Sequence, residues 1–331
     1  MTHKTIQKAC IYGAGAIGGW IGAGLAAAGC SVSVVARGPT LEALNQHGLR
    51  VLSNTGTRSA AVRASASPAK LGVQDLVVIA VKAPALLNVA RQIAPLIGPD
   101  TIVLTAMNGV PWWFFQGFGG AYAGTQLRAV DATGEIAAAI PAGSIIGCVV
   151  HASCSVDEPG VIRHHFGNGL IIGEPSGHQS ERVQALVELL VRAGFAASVS
   201  GQIQKDAWYK LWGNMTVNPI SAFTGATTDL ILGDELVRDF ISKVMLEAKE
   251  IGARIGIAID QQPQDRHAVT LKLGAFKTSM LQDVEAGKAV ELDALVTVVK
   301  ELGELTKVPT PFTDALLGLS RLHARVHSLY Q

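Results

Sequence analysis

The chain has 331 residues, room for two domains of ordinary size, and 49% of them are hydrophobic, ample material for a sizeable core. Lys and Arg number 27 against 26 Asp and Glu, leaving a formal net charge of +1; with no basic tract, this argues against a nucleic-acid partner. Cys10, Cys30, Cys148 and Cys154 lie mostly in apolar stretches and form no C-x-x-C, so they read as small buried hydrophobes of a reducing compartment, not as disulfides or metal ligands.

The first element is an apolar strand that runs into Gly13-Ala14-Gly15-Ala16-Ile17-Gly18 and then into a helical pattern. A G-x-G-x-x-G in that setting is a dinucleotide fingerprint. Gly13 suits a tight strand-to-helix turn, Gly15 leaves the backbone N–H groups open to a pyrophosphate, and Gly18 lets the helix pack close to the strand. An ordinary glycine-rich turn is the competing reading. Residues 13–36 carry no charge, a pattern that also suits an export signal or a membrane span. Its glycines fall on fingerprint positions and Ser31 and Ser33 alternate within it, so a soluble, cytoplasmic protein is expected.

Residues 30–37 form the second strand, which ends at Arg37 with no carboxylate before Glu42. An acidic residue there would accept from a ribose 2′-hydroxyl, whereas a guanidinium grips a 2′-phosphate; the reading is NADP(H). The alternative is that Arg37 is a solvated loop charge. Further strands are predicted at 76–81, ending in Lys82, at 101–105, ending in Asn108-Gly109, and at 144–150, 160–165, 170–173 and 195–200, with a helix at 180–192. Lys82 and Asn108 thus follow strand ends, where ligands bind in open α/β sheets. His151, His164 and His165 lack metal-ligand spacing and read as solvated or hydrogen-bonded; no metal is expected.

From about residue 201 the strand signal stops, and helices are predicted over 204–218, 236–255, 266–285, 292–305 and 311–328. The expectation is an α/β chain: a Rossmann-type, doubly wound, mostly parallel sheet domain over residues 1–200, then an all-helical domain over 201–331, with the active site in the cleft between them. Lys210, Asn214 and Asn218 recur at i, i+4 and i+8 on one helix face, with Pro219 set to distort the last turn. Trp208, Leu211 and Trp212 beside them predict a half-buried helix. The stripe reads equally as hydrated surface or as a lysine with orienting amides. Ser279 and Glu291 near helix ends read as caps or solvated charges, or as a carboxylate donor and a hydroxyl acceptor.

In order and spacing, GAGAIG, VKA, NG, K-x-x-x-N-x-x-x-N-P, SM-x-x-D and a later E-x-D resemble the ketopantoate reductases (2-dehydropantoate 2-reductases) over nearly the whole chain. The resemblance implies NADPH-dependent reduction of 2-dehydropantoate to R-pantoate, a step toward coenzyme A. It implies Lys210 as proton donor and Asn108, Asn214, Asn218 and Ser279 as substrate contacts. Asn108 would also lie near the cofactor, Glu291 would serve as the acid at the nicotinamide end, and Arg37 and Lys82 would surround the adenosine phosphate. Three departures stand out. Trp112-Trp113-Phe114-Phe115 follows Asn108-Gly109 and suggests either a bulkier, more apolar substrate pocket or packing between the domains. Thr228 stands where the family often supplies a substrate-binding Asn, and Val296-Thr297 replaces a common Asn-Gly. The alternatives are a dehydrogenase of the same plan acting on another, bulkier 2-oxo or 2-hydroxy acid, or a non-catalytic NADP(H)-binding regulator. A monomer or homodimer with a small-molecule substrate, and no nucleic acid or membrane, is expected.

Overall fold

The computed structural model describes residues 5–330. They form two compact units: residues up to Met107 together with Gly134–Asp206, and Asn108–Thr133 together with residues from Ala207 onward. The segment 108–133 therefore packs with the helical part of the chain, although it lies among the first two hundred residues.

The first unit is built on one ten-stranded sheet. Its strands are β1 (Lys8–Tyr12), β2 (Ser31–Val35), β3 (Leu49–Ser53), β4 (Gly56–Ala60), β5 (Arg63–Ser65), β6 (Leu76–Ile79), β7 (Ile102–Thr105), β8 (Ile145–Glu158), β9 (Val161–Gly173) and β10 (Ala196–Val199). They lie in the order β4-β3-β9-β8-β7-β6-β1-β2-β5, with β10 also paired to β9. Every ladder is parallel except β3–β4 and β8–β9, so the expected Rossmann-type, mostly parallel sheet is present.

The central strands are fully buried runs such as Leu76-Val77-Val78-Ile79, as a sheet covered on both faces requires. Ile11, Val34, Val78 and Leu104 join α1 (Ala16–Ala27) through Ile21 and Leu25, and a later helix, Glu181–Arg192, through Leu186 and Leu190. Ser180 caps that later helix, accepting from Val183 N at 3.3 Å.

Three differences from the sequence expectation have physical causes. β3, β4 and β5 are only three to five residues long, and β4 and β5 are largely polar, so no hydrophobic run announced them; β4 and β5 end the main strand order. The separate strands expected at 160–165 and 170–173 are one strand, β9, whose exposed middle passes through Gly167 at φ +76°. It pairs with β8 as a hairpin with shifts in register. On this hairpin His164 stacks on Trp20 at 5.6 Å and bonds the Gly167 carbonyl, while His165 Nε2 lies 3.0 Å from Ser155 Oγ. All four cysteines are free thiols, and burial pushes Cys10 up to about 12.

The second unit is helical. Its main helices are α2 (Ile203–Thr224), α3 (Thr228–Gly233), α4 (Glu235–Arg254), α5 (Pro263–Leu271), α6 (Ser279–Glu285), α7 (Val298–Thr306) and α8 (Pro311–Val326). α2 continues past Pro219 to Thr224 instead of ending there, although the ring leaves the Met215 carbonyl without its usual amide donor. Its buried side carries Trp208, Trp212 and Met215 into a core with Ile241, Val244, Val299 and Leu316, and Trp212 Nε1 donates to the Met245 carbonyl at 2.7 Å. The single helix expected at 266–285 is broken into α5 and α6. The loop between them is held by Thr228, whose N–H donates to Phe276 O at 3.0 Å and whose hydroxyl donates to Gly274 O at 2.7 Å. The pattern at 292–305 opens with a π-helical turn, Asp293–Thr297, before α7. None of the described helices is long and apolar enough to cross a membrane.

Candidate active site

The candidate residues fall into two groups, one in each unit. The first lies at the carboxyl ends of β1, β2 and β6. Tyr12 is level with Val35 on one side and Ile79 on the other, so the turns after these three strands emerge together. Gly13 takes φ +101°, a conformation that side chains avoid, and a Cβ on it would stand 2.7 Å from Val81 Cγ1. A Cβ on Gly18 would fall 2.0 Å from the Gly13 carbonyl oxygen. Gly15 is different: its φ is −75° and nothing stands within 4 Å of where its Cβ would be. Gly13 and Gly18 are thus demanded by the protein itself, whereas Gly15 leaves open space for something else.

That open space faces the first turn of α1, where Ala16, Ile17 and Gly18 begin the helix, no side chain caps it and no acidic residue sits. Such an end, with its positive dipole, fits the pyrophosphate of a nicotinamide dinucleotide. Arg37 is exposed immediately after β2 and precedes the helix Gly38–His47, and Lys82 is half-buried after β6. Sequence reasoning passed over Tyr12. Its side chain is buried, its hydroxyl has no hydrogen-bond partner, and burial pushes its pKa up, offset in part by the charge of Arg37.

The second group is in the helical unit. Lys210, Asn214 and Asn218 share one face of α2, as their spacing requires; Lys210 and Asn214 are half-buried and Asn218 is buried. Lys210 Nζ donates to Asn108 Oδ1 at 2.8 Å, bringing together residues 102 apart in the chain. Asn108 is placed by its neighbours. Gly109 turns at φ +85° with its Cα against Ala294, where a Cβ would stand 2.4 Å from the Ala294 oxygen. Val110 N then donates to that same oxygen at 2.9 Å.

Ser279 is not a cap. Thr278 caps α6, accepting from Leu281 N at 3.2 Å, and Ser279 follows half-buried at the first helical position. Glu291 is only 6% exposed and lies two residues before the π-helical turn, not on a solvated surface. Thr228 is spent structurally on the α5–α6 loop, as described above. All four residues of the aromatic segment Trp112 to Phe115 are buried, and Phe114 and Phe115 belong to the core of the helical unit. Phe114 packs edge-on to Phe115 at 5.3 Å and lies 6.2 Å from Trp208. Phe114 and Phe115 are thus taken up in packing the helical unit.

A mostly parallel sheet with a glycine-rich dinucleotide cradle, followed by a helical unit presenting a lysine among amides, defines a two-domain nicotinamide-dependent oxidoreductase. Residues 9–177 match the family described as Ketopantoate reductase PanE/ApbA, and residues 202–324 match Ketopantoate reductase PanE/ApbA C terminal. The chain belongs to this family. It is 48% identical over 316 residues to a 2-dehydropantoate 2-reductase of Mesorhizobium japonicum, covering 95% of this chain and 97% of that protein. A crystal structure from Ralstonia solanacearum, assigned to the ketopantoate reductases, superposes with a TM-score of 0.95 at 54% identity, covering 98% of this chain and all of that one. The 2-dehydropantoate 2-reductase of Geobacter metallireducens superposes with a TM-score of 0.83 at 26% identity over 95% of this chain and 99% of its own.

Proposed function

We propose that this chain is a cytoplasmic, NADPH-dependent 2-dehydropantoate 2-reductase, making R-pantoate on the route to pantothenate and coenzyme A. The observation that carries the reading is the Lys210 ammonium held by Asn108 on an amide-lined helix face. The similarity to the Mesorhizobium japonicum enzyme over nearly the full chain supports the substrate.

When bound, the reduced nicotinamide supplies a hydride to the ketone carbon. Lys210 stabilises the negative charge that then grows on the ketone oxygen and delivers the proton that completes the alcohol. Asn108 steers the ammonium, while Asn214, Asn218 and Ser279 donate to and accept from the substrate, fixing the ketone for attack. Glu291, a buried acceptor, holds a hydroxyl of substrate or ribose. Gly13 to Gly18 hold the pyrophosphate on main-chain N–H groups, and Arg37 with Lys82 neutralises the adenosine phosphates, favouring NADPH over NADH. Four cysteines outside any disulfide accord with a reducing cytoplasm.

A panel of 2-oxo acids of graded bulk, with NADPH oxidation followed at about 340 nm, tests the reading. Ketopantoate is expected to turn over fastest, and a preference for larger apolar acids would point to Trp112 and Trp113 as the selector. No substrate-dependent oxidation across the panel would leave a nucleotide-binding regulator in its place.

A further inference from the structure

The E-x-D motif contributes Glu291 to the reading above but leaves Asp293 without a task. In the structure Asp293 opens the π-helical turn and is gripped twice through one oxygen: its Oδ1 accepts from Thr297 Oγ1 at 2.8 Å and from the Tyr330 hydroxyl at 2.7 Å. π-helical turns are rare and occur frequently at functional sites.

Tyr330 comes back to Asp293 by a sharp reversal. α8 ends at Val326, Ser328 takes a left-handed φ of 57°, and Leu329 N bonds the Ala324 carbonyl at 2.7 Å. A non-glycine residue held there costs free energy that the surrounding contacts must offset. Leu329 is 5% exposed in the helical core, and its carbonyl accepts from Val290 N at 3.1 Å. Residues 329 and 330 therefore fasten the chain on both sides of Glu291, at Val290 and at Asp293.

The fastened turn has a second contact. The Ala294 carbonyl is the seat on which Gly109 turns and to which Val110 N bonds, and Asn108 at the head of that turn accepts from Lys210. A continuous set of contacts thus runs from Tyr330 through Asp293 and Ala294 to Asn108 and Lys210, with Glu291 on the same short stretch. We propose that Asp293 and Tyr330 are positioning residues, which fix the π-helical turn so that it seats Asn108 against Lys210 and aims Glu291. The kinetic part of this inference rests on the reductase reading; the structural part does not.

Tyr330→Phe removes one hydrogen bond and leaves the ring. Its kcat for ketopantoate is expected to fall about fivefold, with the KM for NADPH and the melting temperature little changed. The Val110 amide, followed by hydrogen exchange, is expected to exchange about tenfold faster, because its acceptor is no longer held still. Asp293→Ala has the larger effect, and Asp293→Asn, which retains an acceptor oxygen, restores most of the activity. In an Asn108→Ala background, Tyr330→Phe adds nothing to the loss of kcat, because both changes break one chain of contacts. Unchanged Val110 exchange in Tyr330→Phe overturns the proposal, as do effects on kcat that simply multiply. Should the native protein fail to reduce ketopantoate, the reductase reading falls while the exchange measurement still decides this one.

Discussion

The dinucleotide cradle and the lysine stripe solve opposite problems. The cradle is six consecutive residues, Gly13 to Gly18, and what it offers is main chain: a helix end and an absence of side chains. Its precision comes from exclusion, since a single added carbon at Gly18 would lie 2.0 Å from a backbone oxygen. The stripe offers side-chain groups, and its key pair joins Asn108 to Lys210 across 102 residues. Backbone donors lose no rotamer freedom when an anion binds, whereas an ammonium on a four-carbon stem must be held by neighbours before it is useful. The cradle is consequently sensitive to added bulk and the stripe to lost placement.

Removing the charge from the stripe sharpens this contrast most. Lys210→Gln is expected to lower kcat by about a hundredfold or more at saturating ketopantoate, while the Kd for NADPH measured by fluorescence stays as in the native protein. An equal loss in both quantities would erase the division of labour. Gly15→Val is the reciprocal change. The open space around Gly15 and its φ of −75° accommodate the side chain, so the melting temperature is retained. NADPH binding is expected to weaken by roughly tenfold to a hundredfold, the range for lost hydrogen bonds to a charged group. A protein that unfolds instead would show that Gly15, like Gly18, serves the fold.

Arg37→Ala acts on one end of the same nucleotide. Its Kd for NADPH is expected to rise by about tenfold and that for NADH by less than about twofold, both read by titration. A parallel rise would make Arg37 a general surface charge. The smallest effect lies in the helical unit. His267 is buried with Nε2 2.9 Å from Ser242 Oγ, and burial, helped by the charge of Arg238, pulls its pKa below the ordinary 6.5. The unfolded chain therefore takes up this proton more readily, and stability present above pH 6.5 is lost as the pH falls through 6.5 toward the folded value. The melting temperature of the native protein should drop more steeply below that point than that of His267→Gln, and parallel curves would refute it.

The same contrast explains what could be read from the chain alone. A cradle made of closely spaced glycines between an apolar strand and a helix is written out in order, and so are the buried strands β1, β2, β6 and β7. The stripe was half legible: helical periodicity aligned Lys210, Asn214 and Asn218, but no local pattern brings Asn108 to Lys210. The edge strands were silent because residues such as Thr57, Arg58 and Ser59 bury little and leave no periodic trace. The break between α5 and α6 depends on hydrogen bonds from Thr228, a residue more than forty positions away. Trp112 to Phe115 was ambiguous for a related reason, since large aromatics line pockets and fill cores with equal ease, and packing places Phe114 and Phe115 in the core.

Those silent edges have a consequence of their own. The sheet terminates on one side in β4, five residues of which four are exposed and one is Arg58, and on the other in β5, three residues beginning with Arg63. Short, charged borders of this kind repel an incoming strand. A second copy pairing with β4 or β5 would have to bury a guanidinium, so these two borders resist fibril-like growth.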